Sequence, residues 1–236
     1  MNKTIFVCLI TIVVLAASLP AWSQATWEGP TGVFLNPLAL TQAQGKWQAS
    51  AHFLDLEPVG SLTTLGVTYG GGKWEAGYTR ANLAVGAPRD FAIDTVHAKL
   101  VVVPFKDEWP QIAIGGIARS THGGDSTNDI YLAATKIFKT STPIIASLTV
   151  RNTNANWSGL GGKAADRSTD VGGFLGFVVK PNLILGTEYY GQGDAPAWSD
   201  LAFRWTVSPN TFIDGGVAHI SHDWNRQVAV ALTHQW

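Results

Sequence analysis

Cysteine, charge and long apolar runs are all scarce in this chain. There is one cysteine, Cys8, inside an apolar run near the amino terminus, so disulfides, thiol catalysis and cysteine metal sites are excluded for everything after it. Charged residues make up 14% of the chain, against roughly 25% in typical soluble domains, which leaves a water-facing surface hard to cover. Long apolar runs are also missing. The longest, 5–19, falls short of the ~20 residues a helix needs to cross a bilayer, and no later segment approaches it. No transmembrane helix is predicted. The formal net charge of -1 supplies no basic patch, so no nucleic-acid partner is expected.

What is present begins with an address. Lys3, the apolar run, Pro20 and the small residues Ala21, Ser23 and Ala25 have the anatomy of a secretory signal peptide over residues 1–25, with a cut after Ser23 or after Ala25. The other end of the chain alternates strictly, with Val228, Val230, Leu232, His234 and Trp236 on one face. This ending resembles the terminal signal by which outer-membrane β-barrels are recognised. The resemblance implies export, contact with outer-membrane lipid, and insertion by the barrel-assembly machinery, with Val228, Val230, Leu232 and Trp236 as the insertion signal.

Between these ends the period is two, and the chain is rich in aromatics, with 10 Trp, 10 Phe and 5 Tyr. About twelve segments reach the ~9–11 residues of a tilted membrane-crossing strand: 46–54, 62–70, 73–80, 92–103, 110–119, 128–138, 143–152, 170–180, 183–191, 198–207, 211–220 and 226–236. Short connections alternate with longer ones. The expected fold is all-β: a transmembrane antiparallel β-barrel over residues 46–236, with short periplasmic turns and longer extracellular loops. A soluble two-sheet sandwich gives similar alternation but explains neither chain end.

Parity then sorts the side chains. In 198–207, Leu201, Phe203, Trp205 and Val207 would face lipid and Arg204 the lumen; in 143–152, Leu148 and Val150 point out and Arg151 in. Lumen-lining candidates are Lys46, His52, Glu75, Lys99, Arg151, Glu188, Arg204 and Asp214, a mixture of charges that predicts no strong ion selectivity. The turn at Ser208-Pro-Asn210 would set Val207 opposite Thr211 and so Arg204 opposite Asp214. Trp47, Trp74, Tyr78, Tyr189, Trp205 and Trp236 are candidates for interfacial girdles.

Residues 26–45 carry two prolines and are too broken for a spanning strand. They are expected to form a plug inside the barrel, through Gly29, Pro30, Thr31, Gly32 and Pro37, or else a periplasmic cap. The glycines inside the strands would clear a track for such an occupant. The block Gly29-Pro-Thr-Gly-Val-Phe-Leu-Asn-Pro-Leu-Ala39 resembles the opening of an uncharacterised Gram-negative outer-membrane β-barrel family, distantly like barrels associated with exopolysaccharide secretion. Pro110 to Gly115, Ala134 to Lys136, and Arg151 to Asn156 followed by Gly161-Gly162 look like further segments of a domain-of-unknown-function barrel. The resemblance implies location and architecture, and carries no catalytic residues.

Chemistry is sparse. Ser221 with His219 or His222 and Asp223 supplies the residue types of a hydrolytic triad, but on one short stretch without an oxyanion turn. His122 and Asp125 lack metal-ligand spacing, and no metal or cofactor is expected. The stretch 152–170 reads as the longest loop, with amides beside Trp157 that would suit a sugar. The leading expectation is a narrow, non-enzymatic pore for small polar solutes. The alternatives are a plugged accessory barrel in envelope organisation or exopolysaccharide export, and a lipid hydrolase or acyltransferase.

Overall fold

The computed structural model describes residues 24–236 apart from 57–59, 86–90, 107, 157–161, 193–194 and 221–225. The run expected to be the export signal lies almost wholly outside the described residues. Two short strands, β1 (Gln24–Ala25) and β2 (Thr31–Gly32), precede twelve long ones: β3 (Trp47–Asp55), β4 (Ser61–Gly70), β5 (Trp74–Ala84), β6 (Phe91–Val103), β7 (Gln111–Thr121), β8 (Ser126–Phe138), β9 (Ile144–Ala155), β10 (Lys163–Lys180), β11 (Leu183–Gln192), β12 (Ala195–Ser208), β13 (Thr211–Ile220) and β14 (Arg226–Gln235). Each corresponds to one strand expected from the sequence.

Strands β3 to β14 form a closed antiparallel barrel, each paired with its chain neighbours and β14 with β3. Closure matters because an unpaired strand edge in hydrocarbon would leave backbone groups without partners. At the seam the Trp47 and Trp236 backbones exchange two N–H···O bonds of 3.1 Å.

The alternation expected from composition is what turns apolar side chains outward. Leu201 is 73% exposed, and Phe203, Trp205 and Val207 follow it along β12, while Arg204 points inward. Val228, Val230, Leu232 and Trp236 are likewise exposed on the outer face. Trp47, Tyr69 and Trp74 pack at centroid distances of 4.8 and 5.7 Å near the end that carries both barrel termini, which we call the terminal end. Trp205 and Trp236 are exposed near the same rim, and Tyr78 and Tyr189 are exposed further along the outer face. An apolar outer band with aromatic girdles is the surface of a transmembrane barrel of the outer-membrane type.

Two sequence expectations change. Lys46 does not line the lumen: the chain is still turning at Gly45 (φ 75°), whose N–H donates to Gly70 O, so the β3 parity does not reach Lys46, which is exposed at the rim. The stretch 152–170 is mostly strand, because the β9 and β10 hairpin keeps pairing past the apolar band, with Ser168 opposite Thr153 and a register shift between Lys163 and Ser168. Arg167 fastens this extension through bonds to Asn128 Oδ1 (2.9 Å) and Asn152 O (3.0 Å). The far end of the barrel is therefore raised by paired strand where unpaired loop was expected. Trp157 and residues 158–161 lie outside the described residues.

Inside the barrel lies the chain from Gln24 to Gln42. Gln24 and Ala25 pair with Gly32 and Thr31, the Leu38 N–H returns to Thr31 O at 3.0 Å, and the Trp27 N–H donates to Phe34 O at 3.2 Å. Residues 24–32 and 34–39 are all buried. From Ala43 to Lys46 the chain is exposed, and it then enters β3.

The lumen as candidate functional site

The lumen is built from two kinds of wall. From β5 to β13 the inward positions carry charges, and most of those charges grip the amino-terminal segment. Glu75, near the terminal end of β5, accepts the Thr31 N–H at 2.7 Å, the Thr31 hydroxyl at 2.5 Å and the Gln42 N–H at 2.9 Å. Lys99 on β6 lies 2.9 Å from Glu75 and donates to Thr31 O (2.8 Å) and Leu38 O (3.0 Å), so its three N–H groups are all used.

Toward the far end Glu28 takes the central place. Its carboxylate is wholly buried, pairs with both Arg119 on β7 and Arg151 on β9, and shares Arg119 with Asp129 on β8, at 2.5 Å. Arg151 also donates to the Tyr190 hydroxyl (3.2 Å), which in turn donates to Asp170 (2.9 Å). On β11, Glu188 accepts the Leu35 and Asn36 N–H groups at 2.9 and 2.8 Å. A carboxyl group that takes two successive backbone N–H groups holds the segment at a fixed register.

Arg204 and Asp214 face each other across β12 and β13, as the sequence indicated, with Nε 3.0 Å from Oδ1, and Arg204 also donates to Gly32 O at 3.2 Å. The turn itself differs from expectation. A register shift next to Ser208 pairs that residue with Thr211, yet Thr206 still meets Phe212 and the Arg204 register is kept.

The second wall, β14, β3 and β4, is neutral. Its inward side chains are Gln227, Ala229, Ala231, Thr233 and Gln235, then Gln48, Ser50, His52 and Leu54, then Leu62, Thr64 and Thr68. Its polar groups reach the segment through a Thr68 hydroxyl bond to Gly29 O (3.2 Å) and a Gln235 amide bond to Gln42 Oε1 (3.2 Å).

Glycine makes the fit possible. A Cβ at Gly172 would collide with the Asn36 side chain, and one at Gly29, which holds φ 112°, would collide with His97. Apolar packing completes it: Trp27, Phe34 and Leu35 join Leu54, Leu62, Leu83, Ile93, Tyr190 and Trp198 in one buried cluster, and Leu38 packs with Ile145 and Phe174 in another. A cavity of about 30 Å³ beside Val33, Phe34 and Phe174 has room for roughly two waters.

The structure thus brings Glu75, Lys99, Arg151, Glu188, Arg204 and Asp214 onto the charged wall, sets His52 on the neutral wall, and buries Gly29, Pro30, Thr31, Gly32 and Pro37 in the lumen. Sequence reading missed Glu28, Arg119 and Asp129. The signal was available: Glu28 is the single charged residue in 24–45, and Arg119 and Asp129 share the inward parity of their strands. Ser221, His222 and Asp223 lie outside the described residues. His219 belongs to β13, paired with Arg226. His122 Nε2 lies 3.0 Å from Asp94 Oδ2 on the outer surface.

Comparison with curated proteins finds no match. Among solved structures the chain is similar to a KdgM porin, with TM-score 0.61 and 12% identity over 80% of this chain and 98% of that one. It is also similar to the NanC porin, with TM-score 0.58 and 8% identity over 79% and 97%. The outer membrane protein Omp33 of Acinetobacter baumannii aligns with TM-score 0.50 and 10% identity over 82% and 97%. At these identities the likeness is one of fold. A family model described as a protein of unknown function, DUF3034, matches residues 26–208, from the buried segment through β12, and the chain belongs to that family.

Proposed function

We propose that the protein is a non-enzymatic outer-membrane pore for small polar solutes, closed in this conformation by residues 26–42 acting as a plug. The observation that carries this reading is the capture of the segment's backbone by lumen carboxylates and Lys99, at Thr31, Leu35, Asn36, Leu38 and Gln42. The porin fold of its neighbours supports it. One KdgM porin structure is a complex with disordered oligogalacturonate. Here each described inward Arg or Lys is paired with a carboxylate, so the closed lumen offers an acidic sugar no free cation. Solute would pass only after the plug shifts.

On this reading the terminal end faces the periplasm, and the strand ending at Trp236 serves assembly by the barrel-assembly machinery. Cleavage of the signal after Ser23 keeps the β1 pairing with β2, whereas cleavage after Ala25 removes it.

The apolar cluster around Trp27 and Phe34 favours a second reading, in which the segment is a permanent core and the barrel serves envelope organisation or polysaccharide export through its rims. Planar-bilayer recording separates the two, using the mature chain and a variant lacking residues 26–42, both shown to be folded by heat-modifiable gel mobility. The pore reading expects rare small steps from the first and large stable steps from the second. A folded, shortened barrel as silent as its parent would contradict it.

A further inference from the structure

The neutral wall has more buried polarity than it uses. Both ring nitrogens of His52, the hydroxyls of Thr64 and Thr233, and the Thr79 hydroxyl on the adjoining strand are buried without a hydrogen-bond partner, and so is the Thr26 hydroxyl of the segment. Each of these residues is at most 2% exposed. Buried polar atoms nearly always have a partner, and where protein supplies none, water does.

These groups are contiguous. Thr233 sits opposite Ser50, which sits opposite Gly66, which sits opposite Thr79; in the next row Ala231, His52, Thr64 and Ala81 follow one another across the same strands. One row further toward the far end, Ala229, Leu54, Leu62 and Leu83 are all apolar and pack with Trp27. One row the other way, the Gln235 amide reaches Gln42 and Gln48 at 3.2 and 3.5 Å. His52, Thr64, Thr79 and Thr233 thus lie between a leucine roof and a glutamine floor, while Gln227, also with an unpartnered oxygen, lies beyond the roof.

We infer that β14, β3, β4 and β5 enclose, with the amino-terminal segment, a hydrated chamber that admits small uncharged polar molecules of the polyol class, gated at the far end by Leu54, Leu62 and Leu83. As a solute route this rests on the pore reading; as a chamber it does not. The described inward groups of β14, β3 and β4 include no carboxylate, lysine or arginine, and Glu75 of β5 is taken up by Lys99 and the segment, so an ion would lose its hydration without compensation, whereas a hydroxyl-bearing molecule finds donors and acceptors. Apolar constrictions of this kind gate by excluding water, so leucine at the roof is the element that sets the barrier.

The test uses the mature protein in liposomes, where the sequence beyond Cys8 supplies no thiol of its own. Thr64→Cys and, on the charged wall, Thr149→Cys are treated with methyl methanethiosulfonate, a small uncharged thiol reagent, and modification is followed by mass. Thr149 is buried with its hydroxyl donating to Pro37 O at 2.8 Å. The chamber requires Thr64→Cys to react at least tenfold faster; Thr233→Cys repeats the measurement at a second site. Equal rates overturn the chamber, whatever the deletion barrel conducts.

The route is read separately, with the plug tethered by a disulfide in the Asn36→Cys/Gly172→Cys variant. A Cβ at Gly172 would lie 2.6 Å from Asn36 Cγ, the atom whose place the introduced sulfur would take, so the two positions are near enough for a bridge to be attempted and its formation checked by mass. Adding Leu62→Ser to the tethered protein is expected to raise glycerol-driven liposome swelling several-fold and to leave potassium chloride conductance unchanged. Unchanged swelling overturns the gate. Rapid labelling of Thr64→Cys together with silence from the barrel lacking residues 26–42 would retain the chamber and remove the pore reading.

Discussion

The wall from β5 to β13 and the wall from β14 to β4 are built from the same period-two strands and enclose the same segment, but they meet it in different ways. The first presents Glu75, Lys99, Arg119, Asp129, Arg151, Glu188, Arg204 and Asp214, most of them bonded to the segment or to one another. The second presents hydroxyls, amides and an imidazole, several without a protein partner. Buried charges are expensive to leave unpaired, so the first wall fixes one position of the segment; neutral groups exchange protein for water at little cost, so the second wall can let it slip. On the proposed pore reading, polar fixation on one side and fewer polar ties on the other would let the segment hinge, once Trp27 leaves Leu54 and Leu62.

The comparison breaks most easily at Glu28. Glu28→Ala leaves Arg119 and Arg151 buried with Asp129 as their remaining close carboxylate, and removing one partner of a buried pair costs ~3–5 kcal/mol. Open probability in bilayers is expected to rise by two orders of magnitude or more. Next comes Trp27→Ala, which opens a void in the buried cluster that includes the leucine roof; large-to-small aromatic changes of this kind cost about 3 kcal/mol or more, read in the same recordings and as easier proteolysis of the segment. Glu188→Gln leaves one acceptor oxygen where Leu35 and Asn36 now have two, and is expected to cost ~1–2 kcal/mol of docking free energy.

Thr149→Val removes a single bond to Pro37 O, worth about 1 kcal/mol, and is expected to give a small rise in opening. Smallest of all is Thr233→Val on the neutral wall, where no protein bond is lost and the change in docking is expected to stay within ~0.5 kcal/mol. If Thr233→Val loosened the segment as much as Glu28→Ala, the distinction between the walls would fail.

Much of the barrel was legible because lipid enforces it. Leu201, Phe203, Trp205 and Val207 announce an outward face, and once that face is known Arg204 and Asp214 follow by parity across a tight turn. A register shift at Ser208 did not disturb this, since it falls at the turn and is absorbed before Thr206. Strand ends were harder to read. Polar residues such as Asn152, Asn154 and Arg167 look like loop in sequence, but above the apolar band a strand needs backbone pairing and not apolar side chains, so β9 and β10 run on. Lys46 was misplaced for the converse reason, a turn that ends the parity one residue early.

The buried segment was legible only as a possibility of composition. Pro30, Pro37 and the glycines say that 26–45 does not span the membrane. They do not say which lumen groups it meets, because contacts such as Glu28 to Arg151 or Asn36 to Glu188 join residues more than a hundred positions apart and no local pattern encodes them. The lone carboxylate in an otherwise uncharged segment was the strongest clue, since a buried charge must find a partner.

The central claim is that residues 26–42, held on the charged wall, close the lumen. It is tested most directly by recording the Asn36→Cys/Gly172→Cys protein in a planar bilayer in the presence of potassium chloride, first with the disulfide formed and then after adding a reductant. The account expects a silent barrel that begins to open in discrete steps on reduction. Equal conductance before and after reduction, in protein whose disulfide is verified by mass, would contradict it.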